Sequence, residues 1–186
     1  MYKRLFRFIL IFNQKTNKMK NRNLLHSDDW ATPPYFYEKL NKVFNFNFDP
    51  CPFQHDITEW DGLQIKWKRR NFINPPFNLK LKTEFVKKGI EESKKSKLCV
   101  FLLPVSTGTK LFHDLILPNA HQIGFIKGRL PFIGMNTKGQ YVNWHLWEHE
   151  PPKDAIQIRA NGQHDNMIVV FDITESYSLS GIAATI

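Results

Sequence analysis

The unbroken apolar run Leu98-Cys99-Val100-Phe101-Leu102-Leu103, closed by Pro104, sharply limits the folds open to this chain. Consecutive apolar side chains leave no face for water, as in a central parallel strand covered on both sides. Such a strand needs one layer above it and another below. A second run, Met167-Ile168-Val169-Val170-Phe171, asks for the same cover. The rest of the chain offers suitable helices. Phe36, Leu40, Val43 and Phe44 fall on one helical face, which predicts a helix from about Pro33 to Val43, with Thr32 as N-cap and Pro33 as the first helical residue. Leu81, Phe85, Val86 and Ile90 predict a second from Leu79 to Lys95, its lysine-rich outer face solvated. A third starts at Ser106 or Thr107 and runs through about Leu117. Phe44, Phe46 and Phe48 alternate with polar residues as a strand ending at Asp49, while Phe72-Ile73 and Gln122 to Ile126 read as further strands. Strands alternating with helices predict an α/β layered fold with a mostly parallel sheet.

The length of 186 residues suits one domain. Residues 1–26 read as a poorly ordered or mis-annotated extension: Phe8 to Phe12 is apolar behind basic residues, but no small-residue cleavage site follows. The domain is expected over 27–175, with a tail at 176–186. No run approaches the roughly 18 apolar residues of a membrane span. The two cysteines form no CxxC or Cys/His cluster, so no metal site is expected, and a reducing cytoplasm is the default compartment. The net charge of +9 favours a polyanionic partner such as nucleic acid. The sequence leaves the oligomeric state open.

The chemistry is concentrated at Asn74-Pro75-Pro76-Phe77, directly after Phe72-Ile73. Asn74 and Pro75 both precede a proline and are pushed toward extended backbone. The prolines fix φ and donate no N–H. The result is a stiff arm at a strand end, with the Asn74 side-chain oxygen and the Pro75 carbonyl free to accept, and Phe77 offering a flat face. Two acceptors and a ring suit a planar amine such as the exocyclic N6 of adenine. An ordinary Asn-Pro turn is the plainer alternative. Asp49, where a strand gives way to Pro50-Cys51-Pro52-Phe53, is placed either to meet a ligand at the carboxyl edge of a sheet or to cap the strand end. Trp30 serves either as a packing staple for the first helix or as a pocket wall.

Residues 133–165 show no clear period. A loop of that length in a compact domain is usually functional or disordered. Within it, 134–165 is the candidate target-recognition insert. Trp144, Lys138 and Arg159, with Arg129 just before the insert, are the expected DNA contacts. The alternative is a mobile surface loop whose tryptophans cover a helix.

Several stretches together resemble the phage-type Dam-like DNA N6-adenine methyltransferases. They are Trp30-Ala31-Thr32-Pro33, Phe48-Asp49-Pro50-Cys51, Asp61-Gly62-Leu63 with Trp67, Asn74-Pro75-Pro76-Phe77, Leu103-Pro104-Val105-Ser106-Thr107, Gly128-Arg129-Leu130-Pro131-Phe132 and Met167 to Phe171. Their order and spacing carry the resemblance from Trp30 to Phe171. It implies a compact, Rossmann-like, S-adenosylmethionine-dependent enzyme: a three-layer α/β/α sandwich with Asn74, Pro75, Pro76 and Phe77 as the catalytic loop. It also implies that Asp49 and Cys51 meet the cofactor's methionine end, that Asp61 lies near its adenosine, and that Trp30, Thr32 and Pro33 border the cofactor. One departure is the absence of a glycine-rich loop after Asp49.

The resemblance points to methyl transfer onto a flipped-out adenine in double-stranded DNA, in the cytoplasm of a bacterium or a phage-infected host. Alternatives are methylation of an RNA base or a protein amide, and a nucleic-acid-binding module without catalysis.

Overall fold

The computed structural model describes residues 28–56, 58–172 and Leu179. The expected extension at 1–26 and all of the tail except Leu179 lie outside the described residues. In chain order, β1 (Trp30–Ala31) leads into α1 (Pro34–Phe44), followed by β2 (Arg70–Ile73) and α2 (Leu79–Ser93). Next come β3 (Leu98–Pro104), a π-helical turn (Leu111–Ile116) continued by α3 (Leu117–Asn119), and β4 (Gln122–Phe125). The remaining elements are β5 (Ile133–Met135), β6 (Tyr141–Val142), a 3-10 turn (Trp144–Leu146), β7 (Gln157–Ile158) and β8 (Asn166–Phe171).

The two apolar runs become β3 and β8, the middle strands of a sheet ordered β2-β3-β8-β4. Both are buried along almost their whole length, and their side chains divide between two cores. Val100, Leu102, Ile168 and Val170 meet Phe36, Leu40 and Phe44 of α1. Cys99, Phe101, Leu103, Val169 and Phe171 meet Phe85, Val86 and Ile90 of α2, with Leu111, Phe112 and Ile116 of the π-turn. Gly89 lets α2 approach the sheet closely, since a Cβ there would lie 2.4 Å from the Phe101 ring.

The sheet direction corrects the expectation. β2 and β3 are parallel, but β3 and β8, and β4 and β8, are antiparallel. A second four-stranded sheet, β1-β5-β6-β7, pairs antiparallel at β1·β5 and β5·β6 and parallel at β6·β7. The architecture is therefore two mixed, largely antiparallel sheets with three short α-helices, not a mostly parallel Rossmann-like three-layer sandwich. The cause is the connection before β8. Phe125 of β4 pairs with Met167, and Ile126 N–H donates to the Asn166 carbonyl at 2.9 Å, so the chain leaves and returns at the same end of the sheet. Pro104 of β3 pairs with Asn166 at that end too. The intervening segment thus sits at the carboxyl ends of β3 and β4, and β8 has to run back against both.

Local differences have local causes. Phe44 to Phe48 forms no regular strand: α1 runs on to Phe44, Asn45 adopts a left-handed φ of 48°, and only Phe48 bridges Asn71, in parallel. Thr32 is not the cap of α1. Pro33 occupies that position without a side-chain cap, and its carbonyl accepts Phe36 and Tyr37 N–H at 3.0 and 3.1 Å. The third helix begins later than expected. Thr109 closes a turn onto the Ser106 carbonyl at 2.8 Å, and the π-turn follows. Segment 133–165 carries short regular elements and is not one long loop. Strands of two or three residues show no period, yet Trp144 with Ala31 and Ile133 forms a small core of their own. No helix among the described residues is long and apolar enough to cross a membrane.

Candidate active site

Asp49 and Asn74 come to one sheet edge because Phe48 lies beside β2 and runs parallel to it. Phe72 N–H donates to the Phe48 carbonyl at 3.0 Å, so the residues after Phe48 and after Ile73 emerge side by side. Cys51 closes the gap: its N–H donates to Asp49 Oδ1 at 2.8 Å, and its thiol donates to the Asn74 carbonyl at 3.3 Å.

Asn74 is held by one end of its amide. Nδ2 donates to the Trp30 carbonyl at 2.5 Å, while Oδ1 is buried with no hydrogen-bond partner. An unsatisfied buried acceptor costs about 1–3 kcal/mol, and Asn74 Oδ1 is one of six buried side-chain polar atoms without a partner among the described residues. The fixed Nδ2 aims Oδ1 without help from a ligand. Among the described residues, no backbone N–H reaches the Pro75 carbonyl. Among the described residues, the two acceptors expected from the sequence are therefore both buried and without a partner. Phe77 is held by its own N–H donating to the Asp28 carbonyl at 3.1 Å. Its ring lies 16° from parallel to Trp30 with centroids 6.5 Å apart, and Phe132 stands edge-on to it at 5.6 Å. Trp30 thus both packs and borders the site. Thr32 Oγ1 is another buried polar atom without a partner, and Pro33 is buried at the start of α1.

The electrostatics on the Asp49 side are unusual. Burial pushes the Asp49 carboxyl up to about 7; hydrogen bonds from Cys51 oppose the shift and the nearby Asp29 charge adds to it. The Cys51 thiol is raised as well, by burial first and then by the Asp49 and Asp29 charges. This corner brings the Asp49 and Asp29 carboxyls close enough for each charge to be felt by its neighbours. Asp61 is brought up behind it. Gly62 backs onto Pro50 so closely that a Cβ would sit 1.9 Å from the Pro50 carbonyl oxygen. Asp61 Oδ1 accepts Leu63 N–H at 2.9 Å, shaping the turn that makes this approach. Lys88 Nζ clamps the turn by donating to the Leu63 and Ile65 carbonyls at 2.9 and 2.7 Å.

The four expected DNA contacts divide. Lys138 and Arg159 are exposed on the second sheet's turns, and exposed Arg129 faces Asp165 at 3.3 Å. Trp144 is different: it is 5% exposed, donates Nε1–H to the His149 carbonyl at 2.7 Å and packs on Phe53 and Tyr141. It builds the second sheet's core and presents little surface to a partner. Asp29 and Asn143 stand out in the structure but not in the sequence, and Phe132 does so there only as part of the stretch Gly128 to Phe132. Asn143 is buried, accepts Ala160 N–H and donates to the Phe132 and Ala160 carbonyls, tying Arg159's segment to the wall behind Phe77. Its only sequence signal, an amide amid aromatics, is too common to single it out.

A family described as DNA N-6-adenine-methyltransferase (Dam) matches residues 19–144. A protein from Haemophilus phage HP1 (strain HP1c1), described as a DNA N-6-adenine-methyltransferase, is 35% identical over 122 residues, covering 59% of this chain and 69% of that protein. No solved structure matches.

Proposed function

Because the chain belongs to the DNA N-6-adenine-methyltransferase (Dam) family, we propose that it methylates N6 of a flipped-out adenine in double-stranded DNA, with S-adenosylmethionine as donor. The observation that carries this reading is Asn74, anchored through Nδ2 while its buried Oδ1 lacks a partner. The donor supplies a sulfonium-bound methyl that needs no activation. The residues present fit that molecule: the buried Asp49 carboxyl would meet its positive charge, and Thr32 Oγ1 is a buried polar atom without a hydrogen-bond partner. Cys51 holds Asp49 and the Asn74 carbonyl in one frame.

Asn74 Oδ1 and the Pro75 carbonyl accept the two N–H groups of the target amine. That localises the nitrogen lone pair and meets the positive charge developing there with dipoles already oriented. Phe77 stacks on the base, which must leave the duplex stack to be reached. A strong general base is not required. Incubating the chain with duplex DNA and labelled donor, then analysing nucleosides, tests the reading. Label in N6-methyladenine is expected; label in an RNA base or a protein amide instead, or none anywhere, overturns it.

Donor binding should depend on pH through Asp49. Below about 7 its carboxyl is protonated in the free protein, and above it ionised. Affinity for a cation therefore rises as pH increases through that value and levels off above it. Asp49→Asn should bind weakly with a flat profile, checked by calorimetry from acid to alkaline pH. The same shift has a stability sign. A carboxyl raised from about 4 in the unfolded chain contributes stability at low pH that is lost as pH rises toward the folded value.

Lys138 and Arg159 are proposed to contact phosphates. Replacing both by alanine should weaken DNA binding and lower its salt slope by about 0.9 per lost contact, with donor affinity unchanged. An unaltered slope places the electrostatic footprint elsewhere. A deletion over 136–147 is a poor test, because it removes β6 and the Trp144 core.

A further inference from the structure

On the other flank of the Asn74 loop, a shallow, solvent-open cleft lies between the start of α2, the end of β3 and the π-turn, lined by Leu79, Lys82, Leu103, Pro104, Ser106 and Phe112 among others. Its walls are apolar, yet Lys82 is half-buried in it, and among the described residues its ammonium has no ion pair or hydrogen bond. Burial without a neighbouring charge lowers its pKa. A cation partly withdrawn from water on apolar walls gains from an anionic ligand that reaches it. A π-turn is also uncommon, and π-bulges frequently mark functional sites.

The sheet order shows which ligand belongs there. Phe48 lies on one side of β2 and β3 on the other. Asp49 and the cleft are therefore on opposite flanks of Asn74. In-line transfer needs the amine nitrogen and the donor sulfur on opposite sides of the methyl carbon, so the target nucleotide comes to Asn74 from the flank away from the donor. Resting on the reading above, which gives the Asp49 flank to the donor, the geometry points to the cleft as a seat for a DNA phosphodiester next to the target adenine. Lys82 supplies the charge and the Ser106 hydroxyl a second donor. Phosphate contacts of this kind fix register without reading sequence.

The test is acetylation footprinting of the full chain by mass spectrometry, free, with S-adenosylmethionine alone, and with duplex DNA. Duplex is expected to lower Lys82 acetylation several-fold, and the donor alone to leave it unchanged. In parallel, Lys82→Gln should reduce the salt slope of DNA binding by about 0.9, while Lys82→Arg keeps it. Unchanged Lys82 acetylation in a chain that binds duplex overturns the seat, as does protection by the donor alone. A chain whose Lys82 is protected by duplex but which puts no label into adenine keeps the seat and loses the catalytic reading. Failure to bind duplex at all sinks both.

Discussion

Asn74→Ala is expected to lower methyl transfer by about 10²-fold or more, the usual cost of removing one preorganised dipole from a transition state. Donor affinity should change little, because the proposed function turns the lost oxygen toward the target amine and not the donor. The structure adds a control. Nδ2 of Asn74 donates to the Trp30 carbonyl, so Asn74→Asp retains an acceptor but loses its anchor and sets a carboxylate against a carbonyl oxygen. Its activity should fall between wild type and Asn74→Ala. Single-turnover rates at saturating donor separate the variants, and a normal rate in Asn74→Ala removes Asn74 from the chemistry.

Gly62→Ala is expected to be among the most destabilising single-methyl changes in the chain. The added carbon would lie 1.9 Å from the Pro50 carbonyl oxygen and 3.0 Å from the Phe85 ring. The nearer clash is with backbone, so no rotamer relieves it. Trp67 Nε1 donates to the Gly62 carbonyl at 2.7 Å and Lys88 clamps the following turn, which resists a shift from the other side. A loss of about 3 kcal/mol is expected, at the upper end for overpacking. In a chain of this size that lowers the melting temperature by roughly 6–12 °C. Pro50 directly follows Asp49, so donor binding should weaken as well. Thermal unfolding and calorimetry check both effects. An alanine variant that melts and binds like wild type would show that the turn yields freely.

What was legible in the sequence follows from length and period. α1, α2, β3 and β8 each carry enough apolar residues to show their pattern, and all four are found near the expected positions. The direction of β8 was not legible. A strand buried on both faces has the same composition whichever way it runs. Its direction is set by where the chain leaves β4, which no residue in Met167 to Phe171 encodes. The second sheet was invisible for another reason: its strands are two or three residues long and are specified by pairing with Trp30-Ala31, far away in sequence. At the site, the stiffness of Asn74-Pro75-Pro76 could be argued from proline chemistry alone. The anchor on the Trp30 carbonyl could not, since a backbone acceptor has no letter in the sequence. Thr32 misled because a Thr before two prolines reads as a cap, whereas its hydroxyl is buried without a partner.

Trp30 also has a mechanical part. Its backbone pairs with Gly134 at the entry to the second sheet, and its carbonyl holds the Asn74 amide. Phe132, just before β5, braces Phe77 edge-on. The segment carrying Lys138 and Arg159 and the amide proposed to orient the reacting nitrogen therefore share one lever. On the proposed function, a target that seats poorly against the second sheet should tilt the lever and leave Oδ1 off its line. Discrimination between DNA sites then registers in turnover more than in affinity, so an imperfect site is occupied without being modified.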